Sequence, residues 1–161
     1  MFKTHLALGF LIGFVVAALF NVLYPVLFVI LVTLLSALPD IDHPKSKYGR
    51  KLFFISIPIS LFFKHRGFFH SIFPPAILAL IFVYFNLNYL ALAVFVGYVS
   101  HLIGDATTKE GINFLHPFAT FRVQGPLTTG GLLEKVIFFG LILVNLLLSY
   151  SFLSYYLKLF F

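Results

Sequence analysis

The chain has 161 residues, 61% of them hydrophobic and only 10% charged, with a formal net charge of +6 and no cysteine. A soluble core of this size cannot bury so many apolar side chains, so a soluble enzyme or carrier is excluded and the bilayer must be part of the solvent. The lack of cysteine excludes disulfides, thiolate nucleophiles and cysteine-type zinc sites, which leaves histidine and carboxylate to hold any metal.

Positions 6–38 are mostly apolar and, as one helix rising about 1.5 Å per residue, would extend about 50 Å against a hydrocarbon core of roughly 30 Å. Asn21, Tyr24 and Pro25 suit a tight turn in the middle, so the run is predicted to be a hairpin of two short helices of about 15 residues each, a re-entrant hairpin being the alternative. It ends in Pro39 and Asp40 with no small-residue cleavage site, and is read as retained. Positions 52–63 include Pro58 and are too few to cross, which makes them an interfacial or re-entrant segment. Positions 72–103 form a second hairpin turning at Asn86, Leu87 and Asn88. Pro74 and Pro75 suit its first helical turn, where backbone donors have no partner, and leave His70 and Ser71 just before it. A polar loop over 106–131 leads to one tilted transmembrane helix over 132–160. The fold class is therefore an all-α integral membrane protein, a single domain over 1–161.

The two hairpins repeat at an offset of 65 positions. His5 matches His70, Asn21 matches Asn86, Tyr24 matches Tyr89 and Asp40 matches Asp105, with Ile12, Phe20, Leu27 and Val29 matching Ile77, Phe85, Leu92 and Val94. The repeat halves are about 5–43 and 70–108. A hairpin returns the chain to the side it left, so His5 and Asp40 belong on one surface, as do His70, His101 and Asp105. His101 and Asp105 are four apart and share a helical face.

All six histidines and three of the five acids fall at helix ends or loops on that surface: His5, Asp40, Asp42, His43, His65, His70, His101, Asp105 and His116. Mixed imidazole and carboxylate ligands suit a divalent transition metal, zinc first and manganese or iron next, and this many candidates suggests more than one ion. Asp40 and Asp105 end helices, where a carboxylate opposes the dipole unless a cation is near. Lys3, Lys45, Lys47, Arg50, Lys51, Lys64, Arg66, Lys109 and Arg122 lie on the same side, which the positive-inside rule turns toward the cytoplasm. The basic run over 45–51 is expected to meet anionic lipid rather than nucleic acid, since no recognition fold accompanies it.

The combination Leu38-Pro39-Asp40-Ile41-Asp42-His43, His65-Arg66-Gly67-Phe68-Phe69-His70-Ser71 and His101-Leu102-Ile103-Gly104-Asp105 resembles the YdjM-type family of predicted membrane-bound metal-dependent hydrolases. More remotely, the order of an early His, an Asp 35 positions later and a downstream His-x-x-x-Asp resembles the ligand order of zinc-dependent phospholipase C and related single-strand nucleases. The resemblance implies zinc ions cleaving phosphate esters, with His5, Asp40, His65, His70, His101 and Asp105 as ligands. Arg66 is then the candidate to hold an anionic substrate, and Asp42 a ligand or the group that orients one. The expected function is hydrolysis of a phosphoester in a lipid or lipid-linked substrate at the cytoplasmic face of the cell membrane. The competing readings are a metal-binding or transport protein without chemistry, and partner binding through the polar loop. Ser71 beside His70 is the competing nucleophile.

Overall fold

The computed structural model describes residues 1–63 and 66–160. Its helices are α1 (Phe2–Leu19), α2 (Pro25–Leu35), α3 (Lys47–Lys51), α4 (Phe53–Phe62), α5 (Phe73–Tyr84), α6 (Asn88–Ala106) and α7 (Leu132–Phe160). Short 3-10 turns at Pro39–Asp42 and Phe68–His70 follow α2 and precede α5. Among the described residues four stretches are long and apolar enough to cross a membrane: Phe2–Leu19, Pro25–Asp42, Asn88–Ala106 and Leu132–Ser154.

Both hairpins form, and both turn at the matched asparagines. Asn21 has φ 48° and Asn86 has φ 59°, the left-handed conformation that asparagine tolerates better than most side chains. Pro25 opens α2 and prolines also occupy the first turn of α5, where the missing N–H costs nothing. The arms, however, are unequal rather than about 15 residues each: 18 and 11 in the first hairpin, 12 and 19 in the second. Proline sets the difference. Pro39 has no N–H to donate to the carbonyl four residues back, and regular α2 ends at that residue, Leu35, while Pro74 and Pro75 fix the start of α5. α6 meets no proline before its end at Ala106.

A stripe of small residues lets the helices approach. Gly9, Gly13 and Ala17 are buried at four-residue spacing along α1. A Cβ on Gly9 would sit 2.6 Å from the Ser36 side chain, and one on Gly13 3.0 Å from Val32. Gly97 does the same for α6 against α2, where a Cβ would lie 2.8 Å from Leu35 and 2.9 Å from the Val32 carbonyl oxygen. In lipid, where no hydrophobic force drives helices together, such close backbone packing supplies much of the association. Ala17, Phe28, Val29, Val32 and Ala93 form the core between α1, α2 and α6. α5 packs on α6, and α7 on α1. The α1–α7 contact is pinned by polar bonds: Thr4 donates to Glu134 Oε1 at 2.7 Å and the Gly130 N–H to Glu134 Oε2 at 2.6 Å. Deeper, Asn145 Nδ2 donates to the Ala7 carbonyl at 2.9 Å.

The two halves meet along an internal axis. Tyr89 donates its hydroxyl to the carbonyl of Tyr24 at 3.0 Å, and His101 Nδ1 lies 2.8 Å from the carbonyl of Ser36. Each pair is separated by the repeat offset of 65, as residues on an axis relating the halves must be. The first contact marks the end with the asparagine turns. The second marks the end where both hairpins begin and finish, and it is there that the ionisable residues collect.

Candidate metal centre

Each half brings a matched histidine and carboxylate to this end. His5 lies in the first turns of α1 and Asp105 in the last turn of α6. Asp40 lies in the 3-10 turn after α2, and His70 closes the 3-10 turn before α5. The matched pairs then cross over. His5 Nε2 of the first half is 3.3 Å from Asp105 Oδ1 of the second, and His70 Nε2 of the second is 4.0 Å from Asp40 Oδ1 of the first. His101, the counterpart of Ser36, stands between them.

Four side-chain atoms converge on one focus. His70 Nε2 and His101 Nε2 are 3.3 Å apart, and each is 3.5 Å from Asp105 Oδ2. Asp40 Oδ1 is 3.8 Å from His101 Nε2 and 4.0 Å from that of His70. Tetrahedral bonds of about 2.0–2.1 Å to zinc require ligand atoms about 3.4 Å apart, which the separations among His70, His101 and Asp105 match, while Asp40 stands slightly farther from both rings. Two groups of metal-ligating type overlap here, Asp40 with His70 and His101, and His5 with His101 and Asp105, His101 being common to both. The His70 and His101 side chains are fully buried and Asp105 is 3% exposed, while Asp40 keeps 22% of its side chain open to solvent. Buried carboxylates at this density need positive charge beside them to offset their desolvation.

The histidines are held in the orientation a metal requires. A carbonyl only accepts, so the contact of His101 Nδ1 with Ser36 places the proton on Nδ1 and the lone pair of Nε2 toward the focus. His70 Nδ1 lies 3.2 Å from Asp42 Oδ2, the carboxylate–histidine arrangement that orients a ligand ring and raises its basicity. Asp42 thus contacts His70 on the ring nitrogen that faces away from the focus. His5 stacks on His101 with ring centroids 3.9 Å apart, and Gly104 makes room for it, since a Cβ there would lie 2.7 Å from His5 Nδ1. Burial holds the pKa of His70 below the ordinary 6.5, against the opposing pull of Asp42. Its neutral, ligating form therefore persists as pH falls past that of a free imidazole.

Arg66 reaches the same place from the loop before α5. Its Nη2 is 3.5 Å from Asp105 Oδ1 and 3.1 Å from Glu110 Oε2, and its Nη1 donates to Thr108 Oγ1 and to the Gly111 carbonyl, each at 3.2 Å. The guanidinium expected to face a substrate anion therefore has both terminal nitrogens turned on protein acceptors. Its backbone is held at φ 59°, an uncommon conformation for a long side chain.

His65 lies outside the described residues. His43 and His116 belong to neither metal-ligating group found among the described residues. Ser71 is fully buried and donates its hydroxyl to the Phe68 carbonyl at 2.7 Å. The polar loop is tied down rather than loose: Thr108 bridges to Leu127 and Ile112 to Val123, and the Thr108 hydroxyl donates to the Asp105 carbonyl at 2.7 Å. Sequence reasoning missed the Ser36 carbonyl, which contacts the His101 ring, and Gly104, which leaves room for that of His5. The repeat offset itself points to Ser36, because it is the partner position of His101.

The fold and site define a polytopic helical membrane protein whose two halves assemble a buried histidine–carboxylate centre at one end of the bundle. The chain belongs to the family described as YdjM inner membrane protein, whose model matches residues 1–160. It is 37% identical over 115 residues to "Uncharacterized protein YvsG" of Bacillus subtilis, covering 67% of this chain and 69% of that protein. It is 35% identical over 127 residues to "Inner membrane protein YdjM" of Escherichia coli, covering 73% of this chain, and equally similar to the Shigella flexneri protein of that name. The chain spans 64% of the length of these two relatives. No solved structure matches it.

Proposed function

We propose that this centre binds a divalent transition metal, zinc by preference and manganese or iron as alternatives, and hydrolyses a phosphoester of a phospholipid or lipid-linked substrate at the cytoplasmic face of the membrane. The observation that carries the reading is the convergence of His70 Nε2, His101 Nε2, Asp105 Oδ2 and Asp40 Oδ1 in a buried site whose Asp40 wall alone is partly open. A mixed set of two imidazoles and two carboxylates fits zinc, and disfavours the all-oxygen cages of calcium or magnesium.

A divalent cation held by these atoms supplies Lewis acidity, polarising a phosphoryl oxygen and making water acidic enough to attack at neutral pH. The chain's own residues prepare the site for it. His70 and His101 present Nε2 lone pairs because Asp42 and the Ser36 carbonyl occupy their Nδ1 atoms. Asp40 borders the solvent-open side, where a headgroup ester meets the centre. Position favours hydrolysis over transport: transporters place ion ligands near the bilayer midplane on broken helices, whereas these ligands sit at the ends of α1, α2 and α6.

The test is hydrolysis of a panel of phosphate mono- and diesters and phospholipids by the protein in liposomes, before and after chelation. Metal-dependent turnover of at least one lipid-linked ester is expected; a metal-loaded protein inert to the whole panel would move the weight to metal binding without chemistry. The cytoplasmic orientation rests on the basic residues clustered at this end. Single cysteines placed at positions 47 and 109 should both be labelled from the cytoplasmic side, and labelling from opposite sides would overturn it.

A further inference from the structure

We propose that the Arg66 guanidinium stands in place of a second metal ion, so that the centre holds a single cation, and that removing this side chain opens a second cation site built from His5, Asp105 Oδ1 and Glu110. This inference rests on the metal-centre reading above and adds to it the number of ions and the role of Arg66 as a positioning residue.

The two oxygens of Asp105 face different partners. Oδ2 belongs to the focus shared by His70 and His101, at 3.5 Å from each. Oδ1 points away from that focus, 3.3 Å from His5 Nε2 and 3.5 Å from Arg66 Nη2. A carboxylate divided in this way is the group that joins paired ions in two-metal sites, one oxygen to each. Here the outer oxygen meets a fixed cation, and the same Nη2 also holds Glu110 at 3.1 Å. Two carboxylates thus hold the end of the guanidinium, and the His5 imidazole meets the same Asp105 oxygen, so the donor types that would hold a divalent ion lie about this position.

Three carboxylates, Asp40, Asp42 and Asp105, border the focus within ion-pair reach of His70, and Glu110 adds a fourth at the Arg66 end. The guanidinium already stands against Asp105 and Glu110, so a second divalent ion can enter there only when that side chain is removed. Arginine keeps its charge at any accessible pH and offers a planar fork, so it can bridge Asp105, Glu110 and Thr108 at once. The left-handed backbone at Arg66 is a conformation that the surroundings must enforce, consistent with a side chain placed for a purpose.

The proposal is tested by zinc and manganese stoichiometry of the purified full chain, by elemental analysis after equilibrium dialysis. The wild type is expected to hold about one ion per chain and Arg66→Ala about two, the added ion binding more weakly. The double variant Arg66→Ala with His5→Ala should return to about one, and Arg66→Lys, which restores a cation beside Asp105, should also stay near one. About two ions in the wild type would overturn the proposal, as would Arg66→Ala remaining near one ion in a variant whose retained primary ion shows it to be folded. No metal in any variant would instead remove the metal-centre reading itself. Because the readout is ion count, a merely structural role for Arg66 predicts equal or lower occupancy, never a gain.

Discussion

Asp105→Asn is expected to lose the metal. Asp105 contacts His5, His70, His101 and Arg66 together, and both of its oxygens are committed. The amide keeps the shape but replaces one acceptor oxygen with a donor group, which faces either the Arg66 guanidinium or the two imidazole lone pairs. Losing a ligand outright should exceed the roughly 10–100-fold cost of losing a group that merely orients one, so affinity should fall by at least about 100-fold and the purified variant should carry little metal. Elemental analysis beside the wild type checks this, and unchanged metal content would remove the site as described. By the same scale Asp42→Asn, which touches the centre only through His70 Nδ1, should weaken binding by about 10–100-fold while leaving the ligand count intact.

The second large effect concerns turnover. If the centre is hydrolytic, His101→Ala should abolish activity, a loss of more than about 1,000-fold or about 4 kcal/mol in transition-state stabilisation, because His101 is fully buried between the two halves and belongs to both metal-ligating groups. Ser71→Ala should retain most activity. The Ser71 hydroxyl is committed to the Phe68 carbonyl at 2.7 Å, and His70 Nε2 faces Asp105 and His101 rather than that hydroxyl. Parallel rate measurements on the two variants separate the mechanisms: activity that survives His101→Ala but vanishes in Ser71→Ala would point to a serine nucleophile.

Much of this was legible in the sequence because the repeat is written in polar residues. In a chain of phenylalanine and leucine, a histidine, an asparagine or an aspartate is expensive in the bilayer, so matched spacings such as His5 to Asp40 and His70 to Asp105 carry structural information. They located both turns, the end of the bundle that bears the site and four of the converging groups. The path of Arg66 was not legible. Its guanidinium follows from a left-handed backbone and from the folding of the 106–131 loop around Thr108 and Gly111, neither of which has a local signature. The Ser36 carbonyl escaped notice because a backbone acceptor has no side-chain identity. The glycines did carry a readable signal, Gly9-x-x-x-Gly13, but their consequence, an approach close enough for His5 to stack on His101, depends on three helices at once. The unequal arms show how proline rather than apolar length decides where these helices end.

The central claim is that the histidines and carboxylates gathered from the two halves form a metal centre, and X-ray absorption at the metal edge of the purified protein tests it most directly. The account predicts a first shell of nitrogen and oxygen at about 2.0–2.1 Å with imidazole scattering from two histidines. A protein that carries no bound metal, or a shell without imidazole, would contradict it.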